Sequence, residues 1–229
     1  MVDALCHEIT LQKDYLPSKK LETIYFGGGT PSILSVSELS QLFETIHKIY
    51  EVNSDAEITL EANPDDLTVQ KLNELKHFVN RLSIGIQSFD AHFLKFMNRA
   101  HNVEEANNCV KLSQDVGFEN ISVDLIYNSI PSSENLKIWE QDLEKATSLN
   151  VPHISAYSLT IEEKTFLGKW LKNGKINAID QDISAKQFEM LVEHLTKNGF
   201  EHYEISNFAK PLSIGRCCCS GFFGNPKLS

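Results

Sequence analysis

The chain has 229 residues, 41% of them apolar and 23% charged, with a formal net charge of −10. Such a chain reads as an ordinary globular protein that can bury a core, with room for one large domain or two small ones. The acidic balance, without a Lys/Arg cluster, argues against a nucleic-acid surface; no apolar run reaches membrane-span length and no leader pattern opens the chain, so a cytoplasmic protein is expected.

A period near 3.6 predicts a first helix over 2–14. TIYFGG (23–28) reads as a strand and runs into three glycines and Thr30-Pro31. Ser35, with Glu38 three residues on, has capping-box spacing before a helix over 37–50. EITLEA (57–62) is the next strand, followed by the turn Asn63-Pro64-Asp65-Asp66 and a helix over 68–78. RLSIGIQ (81–87) is a third strand, and Asp90 caps a helix over 91–97. A helix over 103–116 stops at Gly117. NISVDLIY (120–127), a helix over 135–149 and HISAYSL (153–159) follow. Ser184 is the expected cap of a helix over 184–198 that stops at Gly199, before HYEISNF (202–208). Six strands alternating with helices argue for parallel pairing through right-handed crossovers, hence an α/β fold. A (β/α) TIM-like barrel or part of one is expected, with an open doubly wound sheet as the alternative. Residues 1–210 read as one domain. Residues 211–229 lack either period and read as an atypical, disordered tail, as from a truncation joined to a shifted frame or alternative splice.

In a parallel barrel, ligands bind at the carboxyl ends of the strands. Gly27, Gly28, Gly29 and Thr30 end the first strand, Glu61 the second and Gln87 the third. Asp124 lies in the fourth and Ser158 ends the fifth. Five strands thus place small or polar groups on one rim, which favours a polar ligand across it. A glycine run is costly to order, so close approach of a ligand to the backbone is its expected purpose. Asp124, in an apolar strand, needs a partner, and Arg99 is the candidate. The glycines lack the Lys-Ser/Thr of a Walker loop and the spacing of a dinucleotide fingerprint. Cys6 and Cys109 sit singly in helical patterns, as small buried residues do. Cys217, Cys218 and Cys219 are contiguous, unlike ordinary zinc ligands. His101, His153 and His202 are scattered and read as structural.

The motifs YFGGGTPSIL, EITLEANPDDL, NRLSIGIQSFD…MNRAH, ISVDLIY, PHISAYSLTIEEKT and HYEISNFAKP together resemble the radical S-adenosylmethionine proteins of the oxygen-independent coproporphyrinogen III oxidase group, covering roughly residues 2–210. EANP and YEISNFAKP tilt the resemblance toward the HemW-type heme-chaperone branch. It implies a partial radical-SAM barrel of about six parallel strands with outer helices. It implies S-adenosylmethionine bound by Gly28, Gly29, Thr30, Glu61, Gln87, Arg99, Asp124 and Ser158. It further implies a 4Fe–4S cluster and heme in full-length relatives, heme or a porphyrin as partner, and a heme-accepting protein. The family's C-x-x-x-C-x-x-C cluster loop follows a barrel strand upstream of Met1, so this chain is expected to lack it, along with a C-terminal domain, and to supply no metal ligands. With that strand missing, the strand at 23–28 is expected to form an open edge. DLIYNSIPSS departs from the family's Gly-Pro after DLIY. The alternative readings are a coproporphyrinogen III oxidase, which abstracts hydrogen from two propionates, and an inactive fragment.

Overall fold

The computed structural model describes residues 1–128 and 134–211. In chain order these form α1 (Val2–Leu11), β1 (Lys20–Phe26), α2 (Val36–Ile49), β2 (Glu51–Ala62), α3 (Val69–Leu75), β3 (Arg81–Gln87), α4 (Ala91–Phe96) and α5 (Val103–Val116). Then come β4 (Asn120–Tyr127), α6 (Asn135–Ser148), β5 (His153–Ser158), α7 (Phe166–Lys172), α8 (Gln181–Lys197), β6 (Glu201–Glu204) and β7 (Asn207–Ala209). The expected tail beyond Pro211, with Cys217–Cys219, and the whole SIPSS segment (129–133) lie outside the described residues.

The strands form one curled sheet in the order β1-β2-β3-β4-β5-β7-β6. β1 to β5 are parallel, each paired with the next in sequence. This is the expected α/β half-barrel, open rather than closed, with β1 at one edge. The sixth strand departs from expectation. HYEISNF is not one parallel strand but a hairpin, in which β7 runs antiparallel to both β5 and β6. The Glu204 carboxylate causes the reversal: Oε1 accepts from Ser206 N at 3.0 Å and from the Asn207 amide, closing a turn at 205–206.

Local capping chemistry sets most helix starts. Ser35 and Glu38 form the expected reciprocal box, and Asn102 with Glu105 forms a second. Asp90 Oδ1 accepts from Phe93 N at 2.8 Å. Gly117 and Gly199 take left-handed φ of 100° and 82°, as helix stops do. Ser184 is not a cap. Asp180 Oδ1 instead accepts from Asp182 N and Ile183 N at 2.9 and 3.1 Å, starting α8 three residues earlier. A carboxylate facing the first turn suits both the free N–H groups and the helix dipole. The first helix ends at Leu11 rather than 14, and α7 lies in a stretch read as loop.

Through the paired stretches of β2 to β5 apolar and polar residues alternate, so the sheet has two unlike faces. Leu60, Leu82, Ile84, Ile86, Ile121, Val123, Leu125 and Ile154 are fully buried on the helix side. There they pack with Leu39, Leu72, Leu75, Val110, Trp139, Leu143, Leu191 and Leu195 of the surrounding helices. The other face is polar: Thr59, Glu61, Arg81, Ser83, Ser122, Asp124, His153 and Ser155 come from the intervening positions of β2 to β5. Strands covered by helices on both faces run nearly continuously apolar; here the second face is a polar concavity. Among the described residues, no helix is long and apolar enough to cross a membrane.

Candidate functional site

At the carboxyl ends of β1 to β5 the concave face holds a cleft of about 310 Å³, at the small end of the usual range for small-molecule sites, about 300–1,000 Å³. Gly29, Thr30, Glu61, Gln87, Arg99 and Asp124 line it, so six of the eight expected binding residues converge there. Gly28 adjoins them through its N–H, which donates to Glu61 Oε2 at 3.0 Å. Ser158 does not line the cleft; its hydroxyl pairs with that of Ser184 at 3.0 Å.

The three glycines serve different needs. A Cβ on Gly27 would lie 2.6 Å from the Tyr25 ring and 3.1 Å from Glu61 Oε1. Gly28 and Gly29 instead face open space and hold φ of +77° and +64°. The turn itself thus demands two of them, in addition to any approach by a ligand. It carries the chain over Glu61, whose carboxylate accepts from Gly28 N and, at 2.7 Å, from the Tyr25 hydroxyl. Burial, then the bond and charge of Glu61, push the Tyr25 hydroxyl pKa far upward, so Tyr25 stays a neutral donor.

Gln87 also has a left-handed φ, 70°, which is uncommon for a residue with a side chain. The β3–β4 register shifts between Ile84 and Gln87, marking where the strand is re-aimed. Arg99 Nη2 donates to Asn63 Oδ1 at 2.7 Å and to the Gly85 carbonyl at 3.3 Å. Its Nε is buried without a partner. Burial lowers the guanidinium pKa, opposed by Asp65, yet an arginine keeps its charge in proteins. A half-satisfied guanidinium in a polar cleft has donor capacity that an anionic or carbonyl group can take up.

Asp124 does not pair with Arg99, as its position in sequence had suggested. Ser83 Oγ donates to its Oδ2 at 3.2 Å, and Ser155 supplies a second hydroxyl. Burial pushes the Asp124 carboxyl up to about 6; the Ser155 and Ser83 bonds oppose this, nearby Glu61 adds to it and Arg81 offsets it. Arg81 lies deeper on the same face, 2% exposed, with Nη1 donating to Thr59 Oγ1 at 3.3 Å. The cleft therefore sets two carboxylates against one anchored guanidinium, over a floor of hydroxyls. Such a set suits a zwitterionic ligand with hydroxyls of its own.

Sequence reading missed Asn63, Ser83, Gly85 and Tyr157, which also line the cleft. The signal lay in RLSIGIQ, whose alternation puts Arg81, Ser83, Gly85 and Gln87 on one face. Gly85 leaves room: a Cβ there would sit 2.8 Å from Gln87 Nε2 and 3.5 Å from Arg99 Nη2. Of the three histidines read as structural, His153 and His101 are buried. The described cysteines do not suit an iron–sulfur cluster. Cys109 is 1% exposed and burial pushes its thiol up to about 12, while Cys6 lies half-buried on α1. Among the described residues no three His, Cys, Asp or Glu side chains group to hold a metal.

Residues 7–130 match the family model of the Radical SAM superfamily. The chain is 36% identical over 211 residues to the heme chaperone HemW of Lactococcus lactis, covering 92% of this chain and 55% of that protein. It is 38% identical over 192 residues to HemW of Bacillus subtilis, covering 83% and 50%. The chain spans about half the length of these curated relatives. Among solved structures it is similar to the coproporphyrinogen III oxidase of Escherichia coli, a radical SAM enzyme, with a TM-score of 0.76 at 24% identity, covering 91% of this chain and 48% of that one. At that identity the likeness speaks for the fold.

Proposed function

The chain belongs to the Radical SAM superfamily, and from that premise we propose that its polar cleft binds S-adenosylmethionine and that it forms the S-adenosylmethionine-binding part of a HemW-like heme chaperone. The observation that carries the first half is the convergence of Gly29, Thr30, Glu61, Gln87, Arg99 and Asp124 on one cleft, with a buried Arg99 Nε lacking a partner. S-adenosylmethionine carries a carboxylate, an ammonium, a sulfonium and ribose hydroxyls. Arg99 is the donor for the carboxylate; Glu61 and Asp124 are acceptors for the ammonium and hydroxyls; Gly28 and Gly29 bring backbone close to the ligand. Ser158, paired with Ser184 outside the cleft, is the weakest of the proposed contacts.

Radical chemistry in the superfamily draws on S-adenosylmethionine and a 4Fe–4S cluster. The described cysteines do not fit that cluster, so no chemical step is assigned to this chain. Heme as cargo, and a protein that accepts it, are proposed from the relatives' names alone. Calorimetry with S-adenosylmethionine tests the cleft: binding is expected, with Arg99→Ala and Glu61→Gln each weakening it at least about tenfold, on the order of 1.4 kcal/mol. Absence of binding by the wild type, or unchanged affinity in both variants, sinks the assignment. Coproporphyrinogen turnover by a version extended to the relatives' full length would overturn the chaperone reading in favour of the oxidase.

A further inference from the structure

Gln87 and Arg99 reach the cleft from one segment, 87–99, and its first residues leave β3 through a backbone turn that their own sequence does not favour. Gln87 holds φ 70°, and such a conformation persists only where surrounding structure imposes it. The imposing group comes from α6. Asp142, 3% exposed, accepts from Ser88 Oγ at 2.6 Å through Oδ2 and from Phe89 N at 2.8 Å through Oδ1. These are the two residues directly after Gln87.

The bonds continue from there. Ser88 Oγ accepts from Asp90 N at 3.0 Å, and Asp90 Oδ1 caps α4 at Phe93 N. Arg99 N then donates to Leu94 O at 2.9 Å, tying Arg99 to the end of α4. One carboxylate thus begins a continuous path that fixes Gln87 on one side and Arg99 on the other. Its surroundings on α6 are apolar, since Trp139, Leu143 and Ala146 of the same helix are core residues. A carboxyl at such a site is expensive to bury, and burial pushes it up to about 6. An apolar residue would suit the packing better and would leave Ser88 and the Phe89 N–H without their acceptor.

We propose that Asp142 is a positioning residue of the cleft, holding the 88–90 turn so that Gln87 keeps its left-handed backbone and Arg99 its reach. This rests on the reading of the cleft as an S-adenosylmethionine site, and two readouts separate the claims. The first is hydrogen exchange of the full chain without ligand. In Asp142→Ala, exchange is expected to rise in peptides spanning 86–99 and to stay unchanged in β1, β2 and α5. A uniform rise, or none in 86–99, overturns the proposal whether or not the wild type binds anything. The second is calorimetry with S-adenosylmethionine, well below the melting temperature of every variant. Asp142→Ala should weaken binding at least tenfold. Asp142→Asn, which keeps an acceptor for Phe89 N–H, should recover most of the loss. Wild-type affinity in Asp142→Ala despite a lowered melting temperature would mean that Asp142 only stabilises the fold. Should Asp142→Ala fail to fold, Ser88→Ala removes one of the two Asp142 bonds, together with the Asp90 N link to the same hydroxyl, and leaves the Phe89 N bond in place. It must then show the same local exchange and a smaller loss of affinity, or the proposal fails.

Discussion

Neighbouring glycines at the rim answer to different physics, and substitution separates them. Alanine at Gly29 meets no atom but must adopt φ +64°, a left-handed conformation costing about 1 kcal/mol for a residue with a Cβ. Its melting temperature should fall by about 2–4 °C for a chain of this size. Alanine at Gly85 has ordinary backbone but displaces the flexible end of the Gln87 side chain and comes into contact with Arg99 Nη2 at 3.5 Å. Gly85→Ala should therefore melt within about 1 °C of wild type, as a substitution without strain or cavity does, while its calorimetric affinity for S-adenosylmethionine falls several-fold. The reverse outcome, a destabilised Gly85→Ala with full affinity, would mean that Gly85 serves packing alone. The glycine run, Glu61, Gln87 and Asp124 were legible in sequence because strand ends of a parallel sheet share one rim. Ser83 and Asn63 were not, because serine and asparagine are ordinary in strands and turns and gain meaning only from their neighbours. The partner of Asp124 was misjudged for the same reason: distance along the chain does not report that Ser83 and Ser155 flank it on adjacent strands.

Elements joined by local connections were the readable ones. β3 and β4 match their sequence patterns residue for residue, since alternation and bounding turn residues define both. The β6–β7 hairpin was hidden because its reversal depends on one side chain, Glu204, rather than on a Gly or Pro signal. A buried histidine holds this hairpin to the parallel strands. His153 of β5 bonds Ser122 Oγ of β4 through Nδ1 and the Tyr203 hydroxyl of β6 through Nε2, both at 2.7 Å. Burial, then the charge of Arg81, push its pKa down to about 3. The unfolded chain takes up this proton near pH 6.5 and the folded chain does not, so stability is lost as pH falls through 6.5. Between pH 7 and 5 the loss from this group should be about 2 kcal/mol. Asp124 and Asp142, both raised to about 6, act with opposite sign as pH falls through that value. The informative measurement is therefore the difference between wild type and His153→Gln in urea melts at each pH. That difference should shrink toward pH 5; a constant difference would mean that the imidazole is protonated in place.

At the scale of the whole molecule, the sheet is open, and β1 pairs with β2 alone among the described strands. Its free edge carries Lys20 and Glu22, both exposed, which discourage pairing with another chain, but also Tyr25, 43% exposed. The 229-residue chain should self-associate with rising concentration in sedimentation velocity, and Thr23→Lys should shift it toward monomer. A chain that stays monomeric at high concentration would show that the charges already suffice. The order β1-β2-β3-β4-β5 also repeats the order of synthesis, with only one or two α-helices between partners. Each strand emerging from a ribosome finds its neighbour already present, so the first five can be laid down like courses of brick, at small loop-closure cost. The β5–β7 pairing breaks that sequence, because β7 waits for α7, α8 and β6 before Phe208 can face Ile154. Assembly of this chain should thus have one late step, and it is the step that seals the far side of the sheet.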